Sequence, residues 1–313
     1  MSAKLKMMMT MAVFSLGGLA CGCDATGGVD QSPNDAHCTQ TAQAALKACG
    51  LGAEENTWIA IGNCDNVADP TERQACTQVA NAALQGAMDE CDEQFDAREE
   101  ICVALGEDPY DPVIDPQDFV EGITNPFLPL APGTTFVYQG GDEDITVVVT
   151  QETKVILGVT CVVVRDTVRR DGQVIEDTED WYAQDKDGNV WYFGEGSQEF
   201  EDGKLVSLEG SWEAGVDNAK AGIIMKAAPQ VGDVYRQEFL LGEAEDMAEV
   251  LSLEESTSVP AAFCVNTCLV TKDFLPLDPG HIENKYYALG IGLILEINPD
   301  TGEQVELVSI ETE

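Results

Sequence analysis

Residues 159–193 read VTCVVVRDTVRRDGQVIEDTEDWYAQDKDGNVWYF, and this stretch decides the fold. Val159 to Val168 is a β-branched run of the kind that fits a pleated, buried surface. Asp171-Gly172 supplies two residues that accept positive φ, the mark of a tight hairpin turn. Asp180 to Ala183 and Val190 to Phe193 then form two aromatic strands, divided by a second turn at Asp187-Gly188-Asn189. Connections this short cannot hold a crossover helix, so neighbouring strands must run antiparallel.

The same texture continues on both sides. Ile145 to Val149, Val234 to Leu240, Cys268 to Phe274 and Leu293 to Ile297 read as further strands, with turns at Gly140-Gly141-Asp142, Asp202-Gly203 and Asp300-Thr301-Gly302. Glu245 to Ser256 has a helical composition but lies between strands, and is assigned as strand. The expectation for residues 134–313 is an antiparallel β domain, a meander curled into a barrel or half-barrel.

Upstream the texture changes. Residues 36–106 are Ala-rich and free of strand signals. Thr39 to Ala48 predicts a helix that stops at Gly50, followed by a short turn or helix at Trp58 to Ile61. Asp69-Pro70-Thr71-Glu72 offers an N-cap, a first-turn proline and an acid, and opens a helix towards Leu105 with Gly86 as a weak point. Cys38 and Cys49 are eleven residues apart, as are Cys91 and Cys102, so each pair lies along one helical stripe. Antiparallel neighbours would join Cys38 to Cys102 and Cys49 to Cys91, leaving Cys64 and Cys76 to close the connection. Spacing alone leaves the other pairings of six cysteines open. Six prolines between Pro109 and Pro132 mark residues 107–133 as a linker. In the β domain, Cys161 is expected to bridge Cys268 or Cys264. The fold class is therefore α+β, a disulfide-linked helical hairpin domain followed by an antiparallel β-meander barrel or half-barrel.

Residues 1–20 place Lys4 and Lys6 ahead of an apolar run from Met7 to Leu19, the layout of an export signal and too short for a membrane span. Gly18-Leu19-Ala20-Cys21 resembles the lipobox of bacterial lipoproteins, with Leu19 where a small residue is usual and Gly18 where a Leu is usual. That resemblance implies lipid attachment at Cys21, with Cys23 as a second candidate and plain secretion as the alternative. Gly22, in place of the Asp of inner-membrane retention, points to the outer membrane. Residues 21–35 read as a flexible tether. Eleven cysteines in an exported chain suit a disulfide framework.

Sixteen basic and fifty-seven acidic residues give a net charge of −41, and losing Lys4 and Lys6 with residues 1–20 lowers this to −43. Such a surface repels nucleic acid and anionic membranes, so a membrane contact is expected through the lipid alone. It suits divalent cations or a basic partner. With 44% hydrophobic residues the chain has enough material for a core, which argues against disorder beyond the tether.

Several phrases are familiar as a group: Asn125-Pro126-Phe127-Leu128-Pro129-Leu130-Ala131-Pro132-Gly133, Asp180-Trp181-Tyr182-Ala183-Gln184-Asp185, Gly188-Asn189-Val190-Trp191-Tyr192-Phe193-Gly194-Glu195, Val231-Gly232-Asp233-Val234-Tyr235-Arg236-Gln237-Glu238 and Gly290-Ile291-Gly292-Leu293. Together they resemble a group of exported bacterial hypothetical proteins and lipoproteins, over roughly Asn125 to Ile297. The resemblance implies no activity. At the level of layout, a β-meander behind a lipoprotein-like signal is similar to periplasmic half-barrel carriers of lipids or lipoproteins.

No residue is assigned a catalytic role. There is no GxSxG, and the two imidazoles fall at a helix start (His37) and in an expected loop after Pro279-Gly280 (His281). Asp300-Thr301-Gly302 matches the aspartic protease triplet but is read as a turn. A carboxylate-based hydrolase would be sought at Glu176, Asp177, Glu179 and Asp180, which lead into Trp181-Tyr182. Asp185, Asp187 and Asn189 resemble the start of a calcium loop without its closing bidentate acid, and an ordinary hairpin turn explains them as well. Calcium is the one cofactor to consider. Trp181, Trp191 and Phe193 are the candidate ligand-binding residues, should the concave face of the sheet be unfilled. The leading expectation is a non-enzymatic cell-envelope lipoprotein that binds or carries a small apolar or amphiphilic ligand. The alternatives are an acidic interaction or structural surface protein, binding divalent cations or a basic partner, and the carboxylate hydrolase.

Overall fold

Helix α1 (His37–Asp65) has no side-chain cap of its own at its start. Its free N–H groups are met by a residue distant in sequence. The Glu107 carbonyl accepts from the His37 and Cys38 N–H groups at 3.0 and 3.4 Å, and its carboxylate accepts from the Thr39 N–H and hydroxyl at 3.0 and 2.7 Å. These bonds hold the Glu107 carboxyl below its ordinary pKa. Helix α2 (Pro70–Leu105) is capped locally, Asp69 accepting from the Thr71 and Glu72 N–H groups at 2.8 and 3.0 Å. The computed structural model describes residues 36–312. The expected signal, Cys21, Cys23 and the tether lie outside them.

Two expectations for the helices are corrected. The first helix does not stop at Gly50 but runs through it, so Trp58 to Ile61 lies in its last quarter and is not a separate turn. The cost of about 1 kcal/mol for an interior glycine is offset by packing, since Gly50 lies against Met88 and beside the Cys49–Cys91 bridge. Gly86 leaves α2 unbroken. Bridges join Cys38 to Cys102, Cys49 to Cys91 and Cys64 to Cys76, the nested ladder of an antiparallel hairpin. The buried residues of the two helices are largely alanine and cysteine, so the bridges stand where a larger apolar core would otherwise hold the pair.

The passage after α2 is ordered by contacts with the sheet. A 3-10 turn at Pro116–Asp118 leads to β1 (Phe119–Val120). The strands that follow are β2 (Thr134–Gly140), β3 (Glu143–Ile156), β4 (Val159–Arg170), β5 (Gln173–Asp185), β6 (Val190–Glu201), β7 (Lys204–Ser207) and β8 (Trp212–Glu213). Then come β9 (Lys220–Met225), β10 (Val234–Arg236), β11 (Glu238–Phe239), β12 (Met247–Val259), β13 (Ala262–Leu275), β14 (Asp278–Ala288), β15 (Gly292–Ile297) and β16 (Gln304–Thr312). Asp171 and Gly172 both have positive φ (52° and 75°), as the β4–β5 hairpin requires. The segment expected to be strand at Glu245 to Ser256 is β12.

All neighbours are antiparallel, in the order β10, β12, β13, β14, β15, β16, β2, β3, β4, β5, β6, β9, β11. The two ends of that path are one piece of chain, interrupted only at Gln237. Tyr235 of β10 pairs with Ala248, and Glu238 of β11 pairs with Ala221. Residues 234–239 thus bridge both edges and bring the sheet to a nearly closed barrel. Gln237 fixes the jog, its N–H donating to the Asp246 carbonyl at 2.8 Å and its amide to Asp273 at 3.1 Å. Opposite, an added Cβ on Gly222 would stand 2.4 Å from the Gln237 carbonyl carbon and oxygen.

The strand order also corrects the expected bridge of Cys161. Cys161 is a buried free thiol on β4, and Cys264 joins Cys268 within β13. Five strands separate β4 from β13 along the wall, so the two never meet. Asn266, at φ 50°, arches the chain between Cys264 and Cys268 and brings their Cα atoms to 5.4 Å. His281 lies in β14 and not in a loop.

Candidate functional site

Where the N-terminus of α1 and the C-terminus of α2 meet the barrel seam, they leave a cleft of about 810 Å³. This is within the size range of small-molecule sites. Its walls are mainly apolar, with Tyr110, Trp191, Tyr235, Phe239, Leu105 and Leu241 among them. Tyr110 comes from the proline-rich passage and is fastened by its hydroxyl, which donates to the Ala221 carbonyl of β9 at 2.8 Å. Burial pushes its phenol up to about 12, Arg236 opposing. Its ring meets Phe239 edge-on at 5.7 Å.

Charge enters the cleft from two guanidiniums. Arg98 of α2 makes two bonds to Glu245, Nε at 2.9 Å and Nη2 at 2.7 Å, with side chains only 6% and 2% exposed. Glu245 is steadied further by the Gly242 N–H at 2.8 Å. Arg236 of β10 lies over Phe239 and Tyr110, at 4.7 and 5.5 Å from the ring centres. Burial lowers the pKa of Arg236, Glu245 pulls it back up and Arg98 pushes it down, so one carboxylate serves the buried Arg98 and the half-buried Arg236. Each of these two guanidiniums keeps one buried nitrogen without a hydrogen-bond partner, Nη1 of Arg98 and Nε of Arg236. At the rim, Lys220 pairs with Asp111.

The aromatic residues expected to bind a ligand are divided by the structure. Trp191 lines the cleft. Phe193 is fully buried against Phe119 at 5.5 Å. Trp181 is buried elsewhere, under the Lys154 ammonium at 3.1 Å. The calcium-loop residues are brought together, but in a turn. Asp185 accepts from the Asn189 N–H, the Asn189 amide and the Trp191 indole N–H at 2.8, 2.8 and 2.9 Å. Asp187 points to solvent. Among the described residues no group of three His, Cys, Asp or Glu is placed to hold a metal ion.

Inside the barrel a polar cluster is buried among apolar neighbours such as Phe136 and Val147. Tyr182 and Tyr192 stack at 4.8 Å, and the Tyr192 hydroxyl lies 2.6 Å from Asp180 and 2.9 Å from Glu195. One hydroxyl proton serves only one of these carboxyls, so the other contact requires a proton on the acid. Burial raises the pKa of Asp166, with Asp180 adding to it, and burial raises Asp180 as well. Across the lumen Lys285 has Asp273, Glu283 and Glu296 at 3.2, 3.6 and 4.0 Å. Burial opposes its charge and these carboxylates outweigh it. The four acids expected for a hydrolase split between faces. Asp180 turns inward, while Asp177 and Glu179 bond Thr167 and Arg165 at 2.8 and 2.6 Å on the outside.

No family model matches the chain, and no curated protein matches it. A crystal structure described as a "putative lipoprotein" from Parabacteroides distasonis is similar at 10% identity, over 59% of this chain and 98% of that one, with a TM-score of 0.33. A likeness of that size bears neither on fold nor on function. The four disulfides among the described residues are the chemistry of an oxidising, exported compartment. No described helix is long and apolar enough to cross a membrane.

The cleft's main residues were not found by reading motifs. Arg98 is embedded in the acidic run Asp96 to Glu100, and Arg236 in an ordinary strand. Their signal is scarcity: in a chain this acidic, a buried arginine has to be explained by its partners.

Proposed function

We propose that the protein is a non-enzymatic binding module of the cell envelope, taking a small amphiphilic ligand into the cleft between the helical pair and the barrel seam. The carrying observation is the cleft itself, about 810 Å³ with mainly apolar and aromatic walls and a polar end at Arg98 and Arg236. The barrel lumen supports the wholly apolar alternative less well, because its tyrosines and carboxyls need polar partners. Lipid attachment at Cys21 belongs to the same reading, as the means of holding the module at the outer membrane.

Native mass spectrometry of the mature protein, purified from its own envelope without chelators, tests this. The expected result is a mass above that of the polypeptide, with an adduct that denaturing extraction releases. Ala44→Trp, an exposed helix position on the cleft wall, is expected to reduce the adduct. A bare polypeptide mass would count against the binding reading and favour the acidic interaction protein. Calcium adducts surviving buffer exchange would favour the cation-binding alternative.

A further inference from the structure

Resting on the reading of the cleft as a ligand site, we propose that its ligand carries an anionic head, a carboxylate or phosphate ester, received by Arg98 and Arg236. The apolar body of the ligand would lie along Tyr110, Phe239 and Trp191.

The argument starts from hydrogen-bond accounting. A guanidinium has five N–H donors and no acceptor, so an unpartnered buried nitrogen is a donor left unmade. Such a group costs about 1–3 kcal/mol, more when charged. Two such nitrogens, Nη1 of Arg98 and Nε of Arg236, belong to side chains that line one cleft here. The Arg98 side chain is 94% removed from solvent, with two nitrogens held by Glu245, so its third cannot swing away to another acceptor. Arg236 is held between Phe239 and Tyr110. Both side chains are therefore held in place before any ligand arrives.

Charge agrees with geometry. Glu245 is the carboxylate that faces Arg98, and also the one whose attraction is felt by Arg236. Two cations around Glu245 leave a local positive excess that an entering anion would cancel, while Asp108, Asp111 and Lys220 line other parts of the cleft. Planar forks of this kind match carboxylate and phosphate oxygens. The acidic surface does not defeat this. Its repulsion is long-range and screened beyond about 8 Å at physiological salt, whereas contact inside the cleft is short-range.

The test is calorimetric titration of the intact, disulfide-bonded protein with three probes of equal chain length: dodecanoate, 1-dodecanol and dodecyltrimethylammonium. Dodecanoate is expected to bind about tenfold or more tightly than dodecanol, as hydrogen bonds to a charged group imply. Arg236→Gln should bring that ratio towards one. Should the variant fail to fold, the comparison of probes on the native protein decides alone. Equal affinity for dodecanoate and dodecanol would overturn the anionic head and leave the cleft-binding reading standing. A preference for the ammonium would also overturn it. Absence of binding by all three would overturn both.

Discussion

Glu296 shows how a single buried acid can reverse the usual pH response of a protein. Burial lifts its pKa to about 7, with Lys285 opposing. The folded state therefore keeps a proton that the unfolded chain releases near its ordinary value of 4.5. Where the native state binds more protons, stability falls as pH rises. From about pH 4.5 to 7 this carboxyl should cost the fold up to about 3 kcal/mol. His281 acts in the same direction, since its bond to Glu283 raises it above 6.5 and its contribution is lost as pH climbs through the raised value. Glu283 and Asp233 are both lowered despite burial, by partners that outweigh it, so they lose stability only below the ordinary carboxyl range. Urea unfolding should therefore give a higher midpoint at pH 5 than at pH 7.5. Glu296→Gln should reduce the difference, leaving the share carried by His281, Asp166 and Asp180. An equal or higher midpoint at pH 7.5 in the native chain would refute the assignment.

At the scale of elements, the helical pair depends on its bridges. Removing the Cys49–Cys91 bridge, which closes 42 residues of sequence, by a double change to alanine should cost about 2–4 kcal/mol. Thermal unfolding would register this, and hydrogen exchange should quicken in α1 and α2 around the lost bridge. An unchanged melting temperature would mean that the small apolar interface suffices. The ladder was legible in the sequence because an eleven-residue spacing on a helix is a local fact, fixed by helical pitch. The hairpin at Asp171-Gly172 was legible for the same reason. The free state of Cys161 was not, because it depends on which strands adjoin after the sheet has wrapped. Gly50 misled in another way, since its helical cost is local and its compensation at Met88 is tertiary. Trp191 could be picked out as an aromatic in a hairpin, but Arg98, Arg236 and Tyr110 converge from three separate parts of the chain. No periodicity records such a meeting.

For the whole molecule, residues 234–239 carry both the architecture and the candidate site. The segment joins β12 to β9, and it also presents Tyr235, Arg236 and Phe239 to the cleft. Closing the sheet and forming the cleft are thus one event, and a defect at the seam should damage both. Gly222 is where the seam is tightest, since its Cα faces the Gln237 carbonyl with no room for a methyl group. Gly222→Ala should force β9 and β11 apart and destabilise the protein by about 1–3 kcal/mol or more, because the obstacle is backbone and not a side chain that can rotate. Gly86→Ala serves as the control. It lies in α2 with nothing within 4 Å of an added Cβ, and should raise stability by about 0.5–1 kcal/mol. Denaturant melts of the two variants, read beside dodecanoate binding, separate the possibilities. Loss of stability together with loss of binding in Gly222→Ala alone is the result expected of a barrel whose seam builds its ligand site. A Gly222→Ala protein as stable as the native chain would show that β9 and β11 need not approach this closely, and the seam would then not be what closes the barrel.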